Sequence, residues 1–111
     1  MFQLIRKYAS RLAHFFTPRR KLVIIEGDSL PSDLPRKDIV LAREGDDDWC
    51  VGMRCPCGCE RVIELLVFPE AKPNWRVSVN SKGHPTLHPS VWLKDGCKSH
   101  FWLRDGIVIW C

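Results

Sequence analysis

Phe101-Trp102-Leu103-Arg104-Asp105-Gly106-Ile107-Val108-Ile109-Trp110 is the stretch whose pattern decides the fold class. Two runs of aromatic and branched residues flank Asp105-Gly106. That dipeptide favours a two-residue type I′ hairpin, because both turn positions need positive φ. Working outward, short β-rich runs recur at Leu22–Glu26, Ile39–Arg43, Trp49–Arg54, Arg61–Phe68 and Thr86–Leu93. Trp75, Val77 and Val79 alternate with Arg76, Ser78 and Asn80, which is the period of a half-buried strand. Residues 28–36 form a Pro/Ser/Asp loop, Lys82-Gly83 a turn, and Asp46-Asp47-Asp48 a solvated turn. Seven or so short strands with no helical period predict a mainly β protein, a small antiparallel domain. No internal repeat is visible.

Residues 2–16 differ. Phe2, Ile5, Ala9, Leu12 and Phe16 follow one helical stripe, and Thr17-Pro18 ends it. The chain therefore divides into a basic amphipathic helical extension, 1–20, and a β-domain, 21–111. The 111 residues carry a net charge of +4, but the average misleads. Residues 1–21 hold six basic side chains and no acid, so the remainder has 11 basic against 13 acidic residues. By charge the domain body is not a nucleic-acid binder. The helix suits packing on its own domain, a second copy or a partner; an anionic membrane surface is the less favoured contact, and an import sequence is a further reading. No apolar run is long enough to span a membrane. Arg6, Lys7 and Arg11 interrupt any secretory apolar core, so a cytoplasmic location is expected.

The chemistry lies in Cys55-Pro56-Cys57-Gly58-Cys59, joined some forty residues later by Cys97-Lys98-Ser99-His100. Thiolates with an imidazole suit zinc, a borderline-soft ion with tetrahedral demands. On an extended segment Cys55, Cys57 and Cys59 share a face, and Gly58 lets the backbone curl to bring sulfurs together. Cys97 and His100 close the site from a second segment, giving five donors for four positions. A disulfide framework is the rival for the six cysteines, which also include Cys50 and Cys111. Neighbours two apart pair poorly, and no secretory signal precedes them, so metal is preferred.

CPCGC, Trp75, the TLHPSVW run and GCKSHFWLRDGIVIW together resemble the bacterial domain of unknown function 6527 family across residues 22–111. Glu60 stands where that family usually has Gly, and Cys111 lies outside its pattern. The resemblance implies a zinc-binding β-protein, with some members encoded beside bacterial ubiquitin-like proteins and their activating and conjugating enzymes. It implies a zinc-dependent peptidase that processes a ubiquitin-like protein. For that chemistry a metal-bound water needs a base, and Glu64, within the apolar run after Cys59, is the expected catalytic residue. His84 and His88 are candidates for oxyanion stabilisation or substrate contact, and Ser90 and Ser99 for hydrogen bonds to a ligand sulfur or to substrate. Against this, cysteine-rich sites are ordinarily structural, and HExxH is absent. A zinc-stabilised binding module for the ubiquitin-like protein or its enzymes is one alternative. Another is structural zinc with a thiol or serine nucleophile, for which Cys57 near His100 would be an activated cysteine.

Overall fold

The computed structural model describes residues 19–111, and among these there is no helix. The expected helix at 2–16, and with it all but the last two residues of the 1–20 extension, lies outside the described residues. Eight strands form two four-stranded sheets. The first sheet runs in order β1 (Leu22–Glu26), β2 (Ile39–Glu44), β3 (Asp47–Arg54), β4 (Val62–Leu66). The second runs β5 (Arg76–Val79), β6 (Pro85–Trp92), β7 (His100–Arg104), β8 (Ile107–Trp110).

The expected β character holds, with one correction to its antiparallel form. β1 and β2 pair in parallel, Leu22 opposite Ile39. A parallel pair needs a crossover of about a dozen residues to carry the chain back. Residues 27–38 are that crossover, so its two prolines sit in a return path and not in a hairpin. The acidic run is also displaced from the expected turn. Gly45-Asp46 make the turn, while Asp47 and Asp48 belong to β3, where Asp48 accepts a 2.6 Å bond from Arg43 Nε across the strands. The terminal hairpin forms as its sequence dictates, with Asp105 at φ 49° and Gly106 at φ 78°.

One apolar core is shared by both sheets. Ile39, Leu41, Val51, Met53, Ile63 and Leu65 come from the first sheet; Leu87, Val91, Phe101, Leu103 and Val108 come from the second. Burial of this shared cluster is the main force holding the sheets together. The outer faces differ. On the first sheet the crossover folds down, so Val40 and Ala42 are buried as well. Leu30 and Leu34 there occupy the space above Gly52, where an added Cβ would stand 2.6 Å from a Leu30 methyl. The second sheet keeps its outer face open, with Trp92 57% exposed. Arg20 ties the two halves: its amide donates to Gly106 O at 2.9 Å and its guanidinium to Lys37 O at 2.7 Å.

Candidate functional site

The cysteine cluster is built by two reversals of the chain and not by an extended segment. Pro56 to Cys59 form a turn, in which the Gly58 amide donates to Cys55 O at 3.3 Å and the Cys55 amide to Arg61 O at 2.8 Å. Gly58 sits at φ 96°, a conformation that side-chain-bearing residues avoid, so the glycine is what closes the turn. The second arm turns at Asp95–Lys98, where the Lys98 amide donates to Asp95 O at 3.2 Å. Arg61 clamps the arms together, its guanidinium 2.8 Å from the Asp95 carboxylate.

As a result the sulfurs of Cys55, Cys57, Cys59 and Cys97 all lie within 4.8 Å of one another. Cys55 Sγ is 3.3 Å from Cys57 Sγ and 3.6 Å from Cys97 Sγ. A tetrahedral ion with metal–sulfur bonds of about 2.3 Å would set its sulfurs about 3.8 Å apart, so the four can hold a metal ion. The buried Ser99 hydroxyl lies 3.3 Å from both Cys55 Sγ and Cys97 Sγ. Ser99 hydrogen bonding pulls the Cys97 thiol down to about 6, whereas burial pushes Cys55 up to about 12. Without a cation this set would be part thiol and part thiolate.

His100, the fifth expected donor, stands outside that group. Its Nε2 is 3.1 Å from Ser90 Oγ, and its ring stacks on Trp92 with centroids 5.0 Å apart and planes 15° from parallel. β6 and β7 pair with Trp92 opposite His100 and Val91 opposite Phe101. The Leu93 amide donates to Ser99 O at 2.8 Å, so Leu93/Ser99 and Val91/Phe101 are the hydrogen-bonded pairs. Trp92/His100 is the close, non-bonded pair between them, which explains the stacking. Ser90 lies within a bulge, where the register shifts between Leu87 and Val91. Its carbonyl accepts from Trp75 Nε1 at 3.3 Å, so the indole fixes the Ser90 segment from the β5 side. Among the described residues, no other serine hydroxyl is bonded to an imidazole.

Glu64 lies elsewhere. Its neighbours Ile63 and Leu65 enter the core, so Glu64 points to the opposite face of the first sheet, exposed and paired in register with Gly52. Its partner there is Cys50, whose thiol burial and the Glu64 carboxylate push up to about 11. His88 is exposed and sits 6.0 Å from the Trp102 ring, and the His84 amide bonds to Asn80 Oδ1. Cys111 is exposed beyond β8, its amide donating to His100 O at 3.0 Å. A cavity of about 450 Å³ among Asp46, Asp47, Trp49, Phe68 and Glu70 contains no serine or histidine. The Ser90–His100 pair escaped the sequence because no spacing rule links PSVW to CKSH. Only the β6/β7 register does.

Comparison with known proteins returns no matching curated protein and no matching solved structure. A family model does match, over residues 26–111, and it is described as a bacterial ubiquitination-like system serine protease, BubE. The expected pathway fits that description, and so does a protease. The expected zinc-dependent peptidase does not: the family is described as a serine protease, which conflicts with a metal-bound water as the nucleophile. With most of its length matched, from the last residue of β1 through β8, the chain belongs to the BubE family of bacterial ubiquitination-like system serine proteases.

Proposed function

We propose that this chain is a serine protease that cleaves an amide bond of a ubiquitin-like protein, with Ser90 as nucleophile and His100 as general base. The observation that carries this reading is the 3.1 Å contact between Ser90 Oγ and His100 Nε2 on an open face. In the reaction Ser90 Oγ attacks the scissile carbonyl as His100 Nε2 takes the hydroxyl proton. His100 then gives that proton to the leaving amine as the C–N bond breaks. Water, deprotonated by the same imidazole, releases the acyl group from Ser90. Ser99 is unsuited to this role, since its buried hydroxyl is engaged by two sulfurs.

The four-cysteine cluster supports zinc as the bound ion, held by Cys55, Cys57, Cys59 and Cys97. Four thiolates leave no position for a water, so the ion would supply a cross-link between the β3–β4 turn and the β6–β7 loop. That loop leads directly into His100. The protein would therefore use its metal to place its base.

A fluorophosphonate probe, with intact mass and peptide mapping, tests the nucleophile. Labelling should fall on Ser90 and vanish in Ser90→Ala. Turnover of a ubiquitin-like protein fused at its C-terminus to a short peptide should drop at least about a thousandfold in Ser90→Ala and in His100→Gln. Full cleavage by Ser90→Ala would overturn the assignment.

A further inference from the structure

The second sheet carries an unfinished edge beside Ser90. β5 pairs with β6 from Arg76 opposite His88 to Val79 opposite Pro85, and no further. Beyond His88 no strand among the described residues lies against β6 on that side. The ladder alternates, and Val91 and Leu93 turn their amides toward β7. Ser90 and Trp92 therefore turn theirs outward, as the Ser90 carbonyl does when it accepts from Trp75. The Trp92 amide and carbonyl are left with no strand partner, two residues from the nucleophile.

Charge on this sheet is one-sided. β5, β6, β7 and β8 contain no Asp or Glu, but they contain Arg76 and Arg104. Arg104 lies over the Trp102 ring at 4.9 Å, and Lys94 lies over the Trp92 ring at 4.8 Å. Arg76 is in register with His88, so its side chain lies on the same outer face. Asp95, the nearest acid in sequence to Trp92, is turned away to Arg61.

The geometry points to the outer edge of β6 beyond His88 as the substrate-binding edge, and to an extended acidic peptide as its occupant. This rests on the serine-protease reading. The substrate adds as a strand whose backbone bonds to the Trp92 amide and carbonyl. Such bonding aligns a carbonyl with Ser90 Oγ irrespective of side chains. Side chains on the outer face meet Trp92 and Trp102, and carboxylates among them are favoured by Lys94, Arg76 and Arg104.

The test uses full-length Ser90→Ala protein, immobilised, with a degenerate octapeptide pool passed over it. Retained peptides are sequenced by mass spectrometry, then added to ¹⁵N-labelled Ser90→Ala protein while amide exchange is followed. Asp and Glu should be enriched at least about threefold in the retained pool, and exchange of the Trp92 amide should slow at least about tenfold. Lys94→Glu combined with Arg76→Glu should abolish the acidic enrichment. An unbiased or basic retained pool overturns the assignment, as does protection that falls on β8 or the first sheet, or on no amide. Fluorophosphonate labelling of the wild type reads the nucleophile separately. Labelling without Trp92 protection refutes the edge alone, and protection without labelling refutes the nucleophile alone.

Discussion

An imidazole acting as a base must be held in one rotation, and in most serine proteases a carboxylate on its other nitrogen does this. Among the described residues no carboxylate is hydrogen-bonded to His100. Trp92 stacks on the ring instead, with the Lys94 ammonium 4.8 Å from the indole centroid. If His100 is the base, as proposed, Trp92 is a positioning residue. Trp92→Ala should lower kcat/KM by about tenfold or more, mainly through kcat, whereas Trp92→Phe should recover most of it. Because Trp92 is 57% exposed, thermal unfolding should hardly move in either variant. Equal loss in both variants would mean that the ring does not orient the base. Glu64→Gln gives the opposite expectation: it lies on the far face of the first sheet, so cleavage should change by less than about twofold. The sequence showed Glu64 as a carboxylate near the cysteines because proximity along a chain was the only distance it offered. In the fold, strand alternation sends it the other way.

At the scale of elements, the strand runs were legible because each is bounded by Gly, Pro or Asp and alternates with period two. Leu22–Glu26 and Ile107–Trp110 stand where the pattern puts them. The parallel pairing of β1 with β2 was not legible, since it depends on the loop Gly27–Asp38 crossing a face that only the folded sheet creates. Gly52 is the trace of that crossing. Gly52→Val would drive a side chain into Leu30 and should cost about 1–3 kcal/mol by urea unfolding, as overpacking does. The cysteine turns were half legible: CPCGC announced a group of donors that could hold a metal ion, and the pairing of β6 with β7 sets His100 apart from the four sulfurs. Their pH response follows from the thiols. In the metal-free chain Cys97, held down to about 6 by Ser99, favours the folded form above the ordinary thiol value of 9.0, and this is lost as pH falls toward 6. Cys55, pushed up to about 12 by burial, acts oppositely: its contribution is complete below 9.0 and is lost as pH rises toward 12. A metal must displace the Cys55 proton at neutral pH, so affinity should rise with pH. Competition with a chromophoric chelator should show roughly a tenfold gain per pH unit for each proton displaced.

Across the whole molecule, the cysteine cluster and the proposed nucleophile Ser90 occupy different places, yet the loop that carries Cys97 leads straight into the proposed base His100. Cys97 and Ser99 belong to the cysteine cluster, and the next residue is His100. The Leu93 amide bonded to Ser99 O closes the same loop onto β6, just beyond Trp92. Metal loss should therefore loosen the base as well as the fold, so Cys97→Ser should lower the unfolding temperature and fluorophosphonate labelling together. That result alone would not separate a structural ion from a catalytic one. Replacement of the ion does. If the metal only fixes the loop, zinc, cadmium and cobalt forms that unfold at similar temperatures should cleave the same fusion within about twofold of one another. Metal-bound water would differ widely in acidity among these ions, and turnover would follow it. Ser90→Ala supplies the converse: it should bind one equivalent of metal and unfold like the wild type while remaining inactive. Turnover that tracks the identity of the ion would return the chemistry to the cluster. Turnover indifferent to the ion, but abolished in Ser90→Ala, leaves the metal the task of holding His100 against Ser90.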